Sequence, residues 1–419
     1  MAKNLDSANI LMIVENMFPQ DMRVRNEAAS LADCRYGVSI ICLRGEAQKY
    51  FEKWNDISVY RIPYITVFKK KATKGGPNRL YNLLSLLRGV LGYSTEYIYF
   101  TGISFILSLF VCVREGFNVV HVHNPPDTLF LIGAFYKMFG KNFVFDQHDL
   151  APDMYLAKYG SNHGLAHRIL ILLERLSCQV ADKVIVTNES YKSITAARNK
   201  IPRPKVEIVR NGPGRDLIDF EPSESQITHS GRQILVYVGA LNSQDGGFEL
   251  LRVLKALVYE LKVKGFLCSI VGDGETLGQL KSYAGQFGLD EHILFTGPLD
   301  QERVYEIIYA ADICLSSEPL NEYNDNSSFT KIVEYMALGK PIVAFDLKET
   351  RFTAQEAALY VRPNDELEFA RAIKRLMDNA ELRARIGPIG RKRIEEELSW
   401  LHISKNLIKA YETIHNRRI

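Results

Sequence analysis

The sequence predicts an α/β protein made of two doubly wound domains, each a parallel sheet with helices on both faces. Three observations predict it. The chain has 419 residues, enough for two domains of roughly 200 residues. Short apolar runs alternate with segments of helical spacing, the pattern of βαβ units. After a polar run from Glu221 to Ser230 the same alternation starts again.

Composition narrows the function classes. With 47% hydrophobic and 24% charged residues the chain is ordinary for a globular protein. A net charge of +3 gives no sign of a nucleic-acid partner, and no recognition module is present. Six cysteines (Cys34, Cys42, Cys112, Cys178, Cys268, Cys314) lie scattered, without a C-x-x-C pair. They read as free thiols of a reducing compartment, not as a zinc site or a disulfide frame. Met1 to Asp6 lacks an apolar signal segment. The longest apolar run, Tyr97 to Val113, includes Thr101, Gly102, Ser104 and Ser108. It is expected to be a buried helix rather than a membrane crossing.

Ile10–Val14 suits a central parallel strand. The loop Asn16–Arg25 follows, then a helix from Asn26 to Asp33 and a strand Val38–Leu43. That loop sits at a strand's carboxyl end, where open sheets bind ligands. Asp21, Arg23 and Arg25 are therefore candidates to face a ligand. The competing reading makes Asp21 a helix cap and the arginines surface charges.

Residues 44–95 are the least regular part. No acidic residue lies between Asp56 and Glu96, while Arg61, Lys69, Lys70, Lys71, Lys74, Arg79 and Arg88 do. Leu80, Tyr81, Leu83, Leu84, Leu86, Leu87, Val90 and Leu91 stand beside that charge. Basic clusters next to amphipathic segments bind anionic bilayers at about 1 kcal/mol per basic residue. Residues 69–88 are thus a candidate membrane contact, or else a solvated loop before a core helix.

Val119–His123 is the next strand, Leu129–Phe139 its crossover helix, and Asn142–Asp146 another strand. Gln147-His148-Asp149 follows at its end, where open α/β sheets bind ligands. His121 and His123 alternate along a strand, as packed histidines do, and Asp149 could cap the next segment. A helix over 168–180 and strands at 183–188 and 206–209 complete the first half. Asn211-Gly212-Pro213-Gly214 marks a turn.

The second half repeats the scheme. Strands are expected at 234–239, 267–271, 292–297 and 311–315, and helices at 248–261 and 301–310. Gly272-x-Gly274 is by itself only a turn signal. Then comes the informative stretch, Asn326 to Ala344. Ile332, Val333, Met336 and Ala337 share one helical face. Gly339 and Pro341 stop the helix, and Ile342–Ala344 is the next strand. The free N–H groups of Ser328, Phe329 and Thr330 at the helix start form an anion site. Lys331 in the first turn is unfavourable without an anion there. Glu334, one turn on, suits a sugar diol. The bland reading is an ordinary βαβ unit.

Glu334-Tyr335-Met336-Ala337-Leu338-Gly339-Lys340-Pro341 resembles the donor-nucleotide helix of the GT-B glycosyltransferases of family 4. Phe18-Pro19-x-Asp21-x-Arg23-Val24-x-x-Glu27-Ala28 is similar to one branch of that family. The resemblance implies a GT-B architecture of two Rossmann-like domains facing a central cleft. The domains would be 1–212, on the acceptor side, and 213–400, with a final helix 401–417 crossing back to the first. It implies transfer of a sugar from a nucleotide-diphosphate sugar, a UDP-sugar or else a GDP-sugar, with retained anomeric configuration. Gly239, Gly272, Gly274, Pro298, Leu299, Ser327, Ser328, Phe329, Thr330, Lys331 and Glu334 would bind the donor. His148 would touch its sugar near the anomeric centre, and Asn326 would help to orient it. A saccharide or lipid-linked acceptor would meet Asp21, Arg23, Arg25 and Asp149, in the cytoplasm at the inner face of the plasma membrane.

The sequence departs from the family in two places. Asn326 stands where the family has the first of two glutamates. Ala240 and Gln244-Asp245-Gly246 replace the arginine and the Lys-Gly that hold the diphosphate, which leaves phosphate binding to Lys331 and the N–H groups. No metal cluster or Asp-x-Asp site is seen, so neither a divalent ion nor a cofactor is expected. Two further readings stay open: a nucleotide-sugar-binding subunit with weak turnover, and a GT-B-fold sugar-nucleotide epimerase. A peripheral membrane interaction protein is the third.

Overall fold

The computed structural model describes residues 8–65, 79–160, 163–222 and 231–415, side chains excepted at 79–94 and His415. The chain divides into two compact units, one up to Arg210 with the segment from Ser404 on, the other Asn211–Ile403.

The first unit is built on strands β1 (Asn9–Met17), β2 (Gly37–Arg44), β3 (Phe51–Trp54), β4 (Ile57–Pro63), β5 (Val119–His123), β6 (Asn142–Gln147), β7 (Lys183–Val186) and β8 (Val206–Ile208). They form one sheet in the order β3-β4-β2-β1-β5-β6-β7-β8. All pairs are parallel except β3 with β4. Ile10, Leu11, Met12 and Ile13 are wholly buried, because helices cover both faces of a parallel sheet. Strand order reverses between β1 and β5, so their carboxyl ends open a crevice of the kind that binds ligands.

The second unit holds β9 (Gln233–Val238), β10 (Phe266–Val271), β11 (Ile293–Gly297), β12 (Ile313–Ser316), β13 (Ile342–Phe345) and β14 (Ala358–Val361). The order is β11-β10-β9-β12-β13-β14, parallel throughout. Here the reversal lies between β9 and β12. The last helix, Trp400–His415, belongs to the first unit from Ser404 on.

Several expectations need correction. The first helix starts at Met22, not Asn26, because the Asp21 side chain caps it by accepting from the Val24 N–H at 3.0 Å. The segment expected to be irregular contains the hairpin β3–β4 and a 36-residue helix, Arg79–Arg114. Its second half is buried on one face only, where the sequence suggested a buried helix: Phe100, Ser104, Ser108 and Val111 are buried, while Ile98 is 68% and Val113 90% exposed. By length and composition Thr95–Arg114 is apolar enough to cross a membrane, with mean hydropathy 1.8. Lys69, Lys70, Lys71 and Lys74 lie outside the described residues, as do Met1–Asp6 and most of the linker 221–230.

Candidate functional site

In the second unit the carboxyl ends of β9 and β12 leave a cavity of about 240 Å³. Val238, Gly239 and Ala240 line it from the end of β9, and Glu318 from the end of β12. Phe329, Thr330, Lys331 and Glu334 line it from the start of the helix Thr330–Ala337. Asp245 completes the wall. The apolar face of that helix (Ile332, Val333, Met336, Ala337) is buried in the unit's core, and this fixes where its amino end points. Gly339, at φ +65°, ends it.

Two glycines are required by close approach. A Cβ on Gly272 (φ +135°) would stand 2.0 Å from the Gly239 carbonyl oxygen. A Cβ on Gly239 (φ +153°) would stand 2.7 Å from the Lys331 ammonium.

The charges around Lys331 were only half anticipated. Its Nζ donates to Glu318 Oε1 at 2.5 Å and lies 3.8 Å above the Tyr237 ring. Burial alone would lower the lysine's pKa, but Glu318 and Tyr237 outweigh it and the ammonium is held charged. Glu318 Oε2 also accepts from the Ser316 hydroxyl. Burial raises the Asp245 carboxyl against the pull of Lys331. Burial likewise pushes Glu334 up to about 7, opposed by Lys331 and by Gln301. Gln301 Nε2 reaches Glu334 Oε1 at 3.5 Å. Glu318 and Tyr237 escaped the sequence reading. The only signal for Glu318 was its place just past a strand's carboxyl end.

Other expected donor residues fall elsewhere. Asn326 ends a short helix, Glu322–Asn326, and its side-chain amide donates to the Glu322 carbonyl at 2.8 Å. Ser327 is buried, with its hydroxyl on the Tyr323 carbonyl. Neither Asn326, Ser327 nor Ser328 lines the cavity, and neither do Gly274, Pro298 and Leu299. Gly274 packs on Leu241, where a Cβ would meet backbone at 2.4 Å.

In the first unit the sequence reading of Arg23 is overturned. Arg23 is buried and grips both Asp146 oxygens, at 2.7 and 2.8 Å, while Nη1 donates to the Val209 carbonyl at 2.8 Å. It is an interior ion-pair partner, not a surface charge. Asp21 spends one oxygen on the helix cap and accepts from the Asn16 amide with the other, at 2.9 Å. Around Asp146 lie His123 (Nδ1 to Oδ2, 3.0 Å), His148 (3.9 Å) and, beyond Arg23, Glu27 at 3.3 Å. His121 stacks on His123 and bonds the Tyr411 hydroxyl at 2.8 Å. Burial opposes ionisation of Asp146, but Arg23 and the two histidines hold it well below the usual carboxylate range. Glu27, buried beside it, is pushed well above.

Against the expectation of no metal-like cluster, Glu27, His121, His123 and Asp146 bring donor atoms within 4.8 Å of one another. Arg23 already supplies the positive charge at their centre and occupies both Asp146 oxygens, so this set is an ion-paired network and does not fit a metal ion.

His148 and Asp149 begin the loop after β6. Asn124 Oδ1 accepts from both their backbone N–H groups, at 3.0 and 3.2 Å. Asn124 is itself held by Asp127 at 3.0 Å. Burial, with the nearby charge of Glu174, raises Asp127 to about 7. The His148 side chain is 20% exposed, and Arg25 is half-buried on the first helix.

Comparison with known proteins agrees with this picture. Residues 20–212 match the "Glycosyl transferase 4-like domain" family and residues 219–393 the "Glycosyl transferases group 1" family. An uncharacterized glycosyltransferase of Methanocaldococcus jannaschii is 26% identical over 249 residues, 58% of this chain and 61% of the relative. The chain thus spans less than two thirds of that relative. Among solved structures, the sucrose-phosphate synthase of Thermosynechococcus elongatus superposes with a TM-score of 0.72 at 18% identity, covering 98% and 100% of the two chains. Anabaena HepE in complex with UDP-glucose gives 0.67 at 15% identity, covering 97% and 99%. At these identities the likeness is one of fold, the GT-B fold of two parallel-sheet α/β domains.

Proposed function

Because the chain belongs to the glycosyl transferases of group 1, with a 4-like first domain, we propose that it moves a glycosyl group from a nucleoside-diphosphate sugar to a saccharide or lipid-linked acceptor, with retention of anomeric configuration. The observation that carries this reading is the cavity at the amino end of the helix Thr330–Ala337. It joins a helix amino end that no side chain caps, one buried ammonium and a carboxylate one turn further on. Such an end binds a diphosphate by dipole and N–H donors, and Glu334 accepts the ribose hydroxyls. Preorganised donors then stabilise the departing diphosphate. The UDP-glucose complex of HepE, a protein of like fold, supports a UDP-sugar as the donor. His148 is the sugar-facing residue of the first unit.

The test is calorimetry and thermal shift against a panel of nucleoside-diphosphate sugars, followed by transfer assays on any binder. A ligand at one hundred times Kd stabilises its target by about 2.7 kcal/mol. Binding with turnover confirms the transferase and names the donor. Silence across the panel ends the donor reading. Binding without turnover favours a nucleotide-sugar-binding subunit. One observation supports that second reading: Glu318 already neutralises Lys331, the only lysine among the described residues that line the cavity.

A lipid surface is the proposed site of the acceptor, at the cytoplasmic face of a membrane. Two helices of the first unit support it: each buries one face in the core, with Phe100 and Val111 on the first and Cys178 on the second, and leaves apolar residues exposed on the other. On Arg79–Arg114, Ser104 and Ser108 are buried while Ile98, Ile106, Phe110 and Val113 are exposed. On Leu165–Val180, Glu174 and Ser177 are buried while Leu165, Ile169 and Leu172 are exposed. Burial in lipid removes that exposed surface from water. Sedimentation with anionic vesicles checks it: the full chain should pellet, and Ile106→Ser with Phe110→Ser should stay largely in solution. A full chain that stays in the supernatant refutes the membrane contact.

A further inference from the structure

We propose that Asp146 is the positioning residue for His148: its carboxylate, locked by Arg23, takes the His148 Nδ1–H and leaves Nε2 as the nitrogen presented to a sugar hydroxyl. The inference rests on the reading of His148 as sugar-facing and adds the device that fixes its ring.

The geometry is specific. Asp146, near the end of β6, and His148, in the loop just after it, turn their side chains toward each other. Asp146 cannot move. Arg23 holds both its oxygens, and His123, its cross-strand partner, bonds Oδ2 at 3.0 Å. Arg23 is anchored in turn on the Val209 carbonyl. The His148 backbone is fixed by Asn124. What remains free is the ring. Its Nδ1 is buried, makes no hydrogen bond, and lies 3.9 Å from Asp146 Oδ2, at ion-pair but not hydrogen-bond distance. A small ring rotation closes that gap.

With Nδ1–H on the carboxylate, the neutral ring offers Nε2 as an acceptor and the protonated ring offers Nε2–H as a donor. No proton leaves the histidine in either case. The charges facing His148 favour the protonated ring. Burial and Arg23 oppose it, whereas Asp146 and Asp149 favour it and prevail. His123, its ring 6.2 Å away, and His121 stay neutral in the interior. Asp127 also faces the imidazole, its own carboxyl raised to about 7 by burial.

The test is ring-nitrogen NMR of the full chain with 15N-labelled histidine between pH 5 and 9, with His148→Gln to assign the signal. The expected result is a His148 titration above the ordinary 6.5, with the proton on Nδ1 in the neutral form. Asp146→Asn should lower its proton affinity about tenfold or more. A His148 that titrates at or below 6.5 with the proton on Nε2 overturns the proposal, as does an Asp146→Asn chain with an unmoved titration. Should Asp146→Asn fail to fold, the wild-type titration and tautomer decide alone. These readouts need no substrate, so they stand apart from whether sugar transfer is found. If it is, kcat in Asp146→Asn should show a pH profile displaced in step with the NMR shift, and an undisplaced profile counts against the proposal.

Discussion

Two opposed demands meet on the proton of Glu334. Burial favours the neutral acid and raises its pKa to about 7. A ribose diol wants the carboxylate, which can accept both hydroxyls. Donor affinity should therefore rise with pH between 6 and 8, as the carboxylate forms before binding. Calorimetry with the identified nucleotide sugar measures this. Glu334→Gln should bind about tenfold more weakly at pH 8 and lose the pH dependence; an equally pH-dependent variant would remove Glu334 from the diol. The neighbouring pair behaves differently. Lys331 and Glu318 are both nearly inaccessible, with side-chain exposures of 9% and 2%. Glu318→Gln leaves a buried ammonium without its counter-charge, at a cost of about 3–5 kcal/mol. Urea denaturation should show that loss, and the double variant Glu318→Gln, Lys331→Met should recover most of it.

At the scale of elements, the site depends on two loops that touch. The turn after β10 lies on the turn after β9, and Gly272 permits it. Gly272→Ala puts a methyl 2.0 Å from the Gly239 carbonyl in a backbone conformation unfavourable for alanine. We expect a lowered Tm and donor binding weakened at least as much as in Glu334→Gln; calorimetry of the variant with unchanged affinity would show that the loops need not touch. How much of this was legible in the sequence follows from range. The strands were plain, because runs such as Ile10–Val14 and Ile342–Ala344 are buried on both faces and need no distant partner to be read. The helix Thr330–Ala337 was plain too, since its apolar spacing and its glycine stop are local. Arg23 was misread because its partner Asp146 lies 123 positions along the chain. Glu318 was missed because its pairing with Lys331 crosses a loop with no periodic spacing. The helix over Tyr97–Val113 was legible but its exposure was not: apolar residues lie on all sides of it, so their spacing does not separate the buried Phe100 and Val111 from the exposed Ile98, Ile106, Phe110 and Val113.

Over the whole molecule, buried ionisable groups set a pH optimum for stability. Asp127 in the first unit and Glu334 in the second are raised to about 7. An acid with a raised folded pKa lends stability below its unfolded value and loses it as pH climbs through the folded one. His148, also raised, loses its contribution in the same direction. His121 and His123 are lowered, so they cost stability only below about 6.5, where the unfolded chain takes up protons that the interior refuses. Asp146 is lowered, and its contribution fades only in stronger acid. Above pH 6.5 the shifts of Asp127, Glu334 and His148 thus all point one way. Between pH 6.5 and 8.5, Asp127 and Glu334 should each cost their own unit on the order of 1 kcal/mol, or about 2–4 °C in Tm. Calorimetric melts across that range should show Tm falling toward pH 8.5. Asp127→Asn with Glu334→Gln should flatten the fall, because an amide has no proton to lose. A Tm that rises toward pH 8.5 would mean that these acids are already ionised in the folded chain, and with that the opposed pH demand on Glu334 would go as well.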